Sequence, residues 1–124
     1  MSPLYLDSQQ LITGMLVSVV GEVDHSNADQ LESYVSRTCR PGEPVVLDLG
    51  GLTFLDSRGL HALLRLHAAM RQQEATLYLA AVQDVPARVL QITGIWDAMN
   101  IHSSVEGAIA AVLSAFAAPV HQSR

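Results

Sequence analysis

Apolar positions along the chain fall into short runs rich in β-branched residues, separated by longer stretches of helical period. Residues 9–12 and 15–20 are strand-like and are joined by the turn pair Thr13-Gly14, which predicts a hairpin. Leu31, Tyr34, Val35 and Thr38 are spaced i, i+3, i+4, i+7, which predicts a helix over 28–38 capped by Ser26 or Asn27. Arg40, Pro41, Gly42, Glu43 and Pro44 break it before a buried strand at 45–49. A loop then leads to a helix beginning near Gly59. Its one arc carries Leu60, Leu63, Leu64, Leu66 and Met70, and its other side carries His61, Arg65 and Gln72. Residues 76–82 read as the next strand. Asp84 caps a short helix with Pro86 in its first turn, which turns Val89, Leu90 and Ile92 inward until Gly94. A brief strand at 100–102 and a helix over 105–117, with Ile109, Val112, Leu113 and Phe116 at helical spacing, complete the series.

The order ββαβαβα(β)α predicts an α/β fold: a mixed, largely parallel sheet with right-handed crossovers and helices packed mainly on one side. Functional groups of such sheets gather at the carboxyl ends of the strands. Residues 21–25 and 55–59 both follow strands in this sense and are expected to share one rim.

Composition narrows the function classes. With 124 residues, 49% of them hydrophobic and 15% charged, the chain is expected to form one folded domain over 1–124. The net charge of −5 and the absence of any basic run argue against nucleic acid or an anionic membrane as the main partner. Cys39 is the only cysteine, which excludes an internal disulfide, a zinc knuckle and a CxxC pair. It reads as a partly buried structural thiol in a reduced compartment. The first seven residues lack a charged leader and apolar core, and the apolar stretch at 108–118 is too short to insert in a bilayer, so a cytoplasmic, soluble protein is expected. His61 and His67 are six apart and cannot share a helix face as metal ligands, and His67 is expected to pack half-buried. No phosphate-binding glycine motif is present, so no cofactor is expected. Hydrolysis is disfavoured too: Ser57 follows a strand, but the glycine of a nucleophile elbow two residues earlier is missing.

Ser57 has two readings. Its hydroxyl suits a helix N-cap, accepting from amides of the first turn. The same amides and the positive end of the helix dipole also favour a phosphate on that hydroxyl. Asp56 either tethers the loop or positions the acceptor, with the tether favoured. Asp24 and His25 divide between capping and partner contact.

Several segments together resemble a STAS domain, across nearly the whole chain and in order. They are Gly21-Glu-Val-Asp-His25 with Ala28 and Leu31, Val46-Leu-Asp-Leu49, Leu52-Thr-Phe-Leu-Asp-Ser-Arg-Gly-Leu60, and Pro86-Ala-Arg-Val-Leu90 with Thr93-Gly-Ile95. The chain is most similar to the single-domain anti-sigma factor antagonist type. That resemblance implies that Ser57 is phosphorylated by an anti-sigma factor that is itself a serine kinase, and is reset by a serine phosphatase. It implies partner contacts around Asp24, His25, Asp56, Arg58, Gly59 and His61. Arg58 stands where the family often has a second small hydroxyl residue, and its fork is expected to point outward to a partner carboxylate. The alternative within the family is a scaffold or a subunit of a membrane transport or signalling complex.

Overall fold

Two apolar strands form the centre of the molecule, β2 (Met15–Val23) and β3 (Val45–Leu55), and they pair in parallel. The computed structural model describes residues 2–117. Flanking the central pair are β1 (Leu4–Gln10), antiparallel to β2, and β4 (Leu77–Ala80) and β5 (Asn100–His102), both parallel. The sheet order is β1-β2-β3-β4-β5. Connections are made by α1 (Ala28–Thr38), α2 (Ser57–Gln72), α3 (Asp84–Ile92) with a 3-10 turn at Ile95–Ala98, and α4 (Val105–Ala117) closes the described chain.

Strand side chains alternate between the two faces, so each buried strand serves two layers. Val17, Val19, Val45, Leu47, Leu49, Leu77 and Leu79 meet Leu31 and Val35 of α1, Leu60, Leu63, Leu66 and Met70 of α2, and Leu90 of α3. On the opposite face Val46 and Ala80 meet Ala108 and Val112 of α4, with Leu16, Tyr78 and Val105 at the margin. The predicted mixed sheet with helices mainly on one side is therefore the fold observed.

Several boundaries differ from the pattern-based expectation. The first strand is Leu4–Gln10 and not 9–12, because Leu4 and Leu6 turn inward while Ile12 lies in the connecting turn, 81% exposed. β2 continues to Val23, and β3 runs six residues beyond Leu49 through Gly50 and Gly51. The glycines are strand residues here. A Cβ on Gly51 would lie 2.9 Å from Val20 Cγ2, so the strands approach too closely for a side chain, and the register shifts between Ser18 and Val20. β4 is only four residues long. Ile92, expected inward, is 77% exposed, and Phe116, at helical spacing with Val112, is 64% exposed, because Leu90 and Val112 already fill the faces that meet the sheet. Gly14, at φ +89° in the first turn, sits against the Pro44 carbonyl, a conformation and a clearance that favour glycine. Cys39 is half-buried, and burial pushes its thiol up to about 11.

Candidate partner-docking site

The extra length of β2 and β3 brings the two predicted rim segments into direct contact. The Asp56 amide donates to the Val23 carbonyl (3.2 Å), and the His25 amide donates to Asp56 Oδ2 (3.0 Å). The second carboxylate oxygen of Asp56 accepts from the Gly59 amide at 2.9 Å, so Asp56 is the N-cap of α2. This corrects the expectation for Ser57, which is the first helical residue and exposed, and whose hydroxyl takes no part in the cap. The reason is local: β3 stays extended up to Asp56 (φ −98°, ψ −172°), so the helix begins two residues before Gly59. Asp56 has the tethering role expected of it.

The loop between β2 and α1 is tied down by its own side chains. Asp24 Oδ1 accepts from the Ser26 amide (2.9 Å) and hydroxyl (2.6 Å), and Oδ2 accepts from the Ser2 hydroxyl. These bonds, that of Ser2 first, hold the Asp24 carboxyl down to about 2. Asn27 precedes α1 but its side chain does not cap it. It turns back, accepting from the Asp24 amide (2.9 Å) and donating to the Glu22 carbonyl (2.8 Å), and it is buried. His25 is left exposed, with Nδ1 3.8 Å from Asp56 Oδ2.

Gly59 is buried against β2, where a Cβ would lie 2.8 Å from the Val23 carbonyl oxygen. Its contribution is to let α2 approach the strand, not to present surface. His61 is exposed on the next turn of α2. Arg58 does not extend freely outward: one guanidinium nitrogen lies 3.5 Å from Asp29 Oδ1 on α1. Farther along the same seam Arg65 grips Glu32 with two bonds, 3.2 and 2.7 Å, and lies 4.0 Å from Asp29. Asp29 and Glu32 belong to this rim and its seam, yet sequence reasoning missed them, and it gave Asn27 only a capping role. The helix period shows Asp29 and Glu32 only as outward residues, and their partners lie on another element. His67 packs half-buried as expected; desolvation and the nearby Arg71 hold its imidazole below the usual range.

Ser57 thus stands on an exposed rim built from Asp24, His25, Asp56, Arg58 and His61, at the carboxyl ends of β2 and β3. Among the described residues no group of three or more His, Cys, Asp or Glu side chains is placed to hold a metal ion. No described helix is long and apolar enough to cross a membrane.

A five-stranded mixed sheet of this order, with an exposed serine opening the helix after its central strand, defines a domain class. The model of the STAS domain matches residues 5–108, and the chain belongs to that family. A Bordetella bronchiseptica protein, BtrV, named as an anti-sigma factor antagonist, is 35% identical over 106 residues, 84% of this chain and 91% of its own length. Solved structures share the fold. An anti-sigma factor antagonist from Mycobacterium paratuberculosis superposes with a TM-score of 0.80 at 22% identity, over 89% of this chain and 94% of that one. The phosphorylated form of the Bacillus cell fate determinant SpoIIAA gives 0.66 at 18% identity, over 87% of this chain and 99% of that one.

Proposed function

We propose that this chain is a cytoplasmic anti-sigma factor antagonist whose docking is controlled by phosphorylation of Ser57. The observation that carries the reading is the division of labour at the start of α2: Asp56 supplies the cap, and the Ser57 hydroxyl is left exposed. Modification of Ser57 therefore leaves the capping hydrogen bond, from the Gly59 amide to Asp56, in place. The name of its 35%-identical relative supports the same assignment over the transport-scaffold alternative.

In this mechanism the unphosphorylated rim binds the anti-sigma factor and displaces a sigma factor, so transcription is regulated without DNA contact. The anti-sigma factor acts as the serine kinase. The Ser57 hydroxyl oxygen bonds to the γ-phosphorus of ATP, its proton passes to a base on the kinase, and ADP leaves. The product adds a charge of about −1.5 to −2 beside Asp56, on a rim that already holds Asp24 and Asp29. Desolvating that charge in a tight contact, or facing it with partner carboxylates, weakens docking; a loss of about 2.8 kcal/mol lowers affinity about a hundredfold. A serine phosphatase restores the binding form.

Incubation with the cognate anti-sigma factor and Mg·ATP, followed by mass spectrometry, tests the assignment. Ser57 takes up the phosphate and Ser57→Ala stays unmodified. Stoichiometric labelling of Ser26, Ser103 or Ser104 instead overturns it.

A further inference from the structure

The seam between α1 and α2 holds two arginines in unequal ways. Arg65 is fixed: its guanidinium makes two hydrogen bonds to Glu32, at 3.2 and 2.7 Å. Arg58 is held by one contact, 3.5 Å from Asp29 Oδ1, between side chains that are 49% and 79% exposed. Single-contact ion pairs between exposed side chains are weak and easily exchanged. Taking Ser57 as the phosphoacceptor, we propose that Asp29 and Arg58 form a phosphate-responsive ion-pair exchange. In the unmodified protein Asp29 holds Arg58 aside, and on phosphorylation Arg58 transfers to the phosphoserine.

The chemistry favours the transfer. Arg58 is the residue next to Ser57, and its planar fork can meet two phosphate oxygens at once, a stronger arrangement than one contact to a carboxylate. The carboxylate of Asp56, on the other side of Ser57 in the chain, is already engaged by the amides of Gly59 and His25. Asp29 is not left bare, because Arg65 already lies 4.0 Å from the same oxygen. Asp29 therefore acts as a positioning residue that sets how readily Arg58 leaves. Once transferred, Arg58 covers phosphate oxygens that a phosphatase must reach, which lengthens the lifetime of the modified state.

The exchange is tested without any kinase, on full-length protein carrying phosphoserine installed at position 57 by genetic encoding. The second phosphate ionisation, ordinarily near pH 6, is followed by the 31P chemical shift. Transfer of Arg58 places the wild-type value below that of Arg58→Ala by on the order of half a pH unit, about threefold in proton affinity. Asp29→Asn lowers the value further, and this added drop shrinks when Arg58→Ala is also present, because it arises through the freed guanidinium. Arg58→Lys falls between wild type and Arg58→Ala, with circular dichroism as the fold control throughout. Equal values in wild type and Arg58→Ala overturn the proposal, as does an Asp29→Asn shift that is the same with and without Arg58. Because the phosphoserine is encoded and not made by a kinase, either result leaves the kinase assignment to be judged by the mapping experiment alone.

Discussion

A methyl group at position 59 strikes the point on which the rim depends. A Cβ there would lie 2.6 Å from Leu55 Cδ1, 2.8 Å from the Val23 carbonyl oxygen and 2.9 Å from Val23 Cγ1. The Leu55 methyl can swing aside. The Val23 carbonyl cannot, because it belongs to β2 and accepts from the Asp56 amide at 3.2 Å. The first turn of α2 must therefore lift, which lengthens the 2.9 Å cap from Asp56 to the Gly59 amide. Overpacking of this kind costs about 1–3 kcal/mol. Weakening the cap adds up to about 1 kcal/mol. The better helix propensity of alanine offsets about 1 kcal/mol. The net expectation for Gly59→Ala is a loss of about 2 kcal/mol, which for a chain of this size lowers the melting midpoint by roughly 8 °C. Urea unfolding followed by circular dichroism, with wild type and variant fitted to a common m-value, measures it. A variant as stable as wild type, or more so, would refute the close approach of α2 to β2 and the argument built on it.

Asp56→Ala removes both the α2 cap and the tether to the His25 amide and is expected to cost about 1–2 kcal/mol in the same assay, while Asp56→Asn, which keeps one acceptor oxygen for the cap, costs less. Asp24 has a folded-state value of about 2 against an ordinary 3.8, so its hydrogen bonds stabilise the fold above about pH 4 and that contribution is lost as pH falls toward 2. Asp24→Asn should flatten the melting temperature over that interval; an unchanged acid slope would contradict the assignment. With its thiol raised to about 11, Cys39 should be alkylated at neutral pH far more slowly in the native protein than in denaturant, on the order of a hundredfold; equal rates would show it to be open.

The hydrophobic pattern disclosed the helices well because each buries a single stripe: α1 falls at the predicted residues, and α4 over the predicted span. Strand ends were less legible. β1 offers only Leu4 and Leu6 as inward apolar residues, too short a signal to compete with the adjacent Leu11-Ile12, which the turn exposes. Gly50 and Gly51 read as a loop by composition. In the fold they are the place where β3 slides under Val20, a fact of strand approach that one strand's sequence does not contain. That misplacement propagated to the site: with β3 ended early, Ser57 fell at the cap position, whereas the longer strand hands the cap to Asp56. The coming together of the segments around Asp24 and Ser57 was legible from topology. The pairing of Arg58 with Asp29 was not, since it joins two helices whose mutual rotation depends on the whole core.

The central claim, that the rim binds in one state of Ser57 and not in the other, is tested most directly by calorimetric titration of the cognate anti-sigma factor with unmodified and Ser57-phosphorylated protein. Ser57→Ala serves as a control that should bind like the unmodified form, because Asp56 still caps α2. The account predicts an affinity about a hundredfold or more lower for the phosphorylated protein, a difference of at least about 2.8 kcal/mol. Equal affinities for the two forms would contradict it.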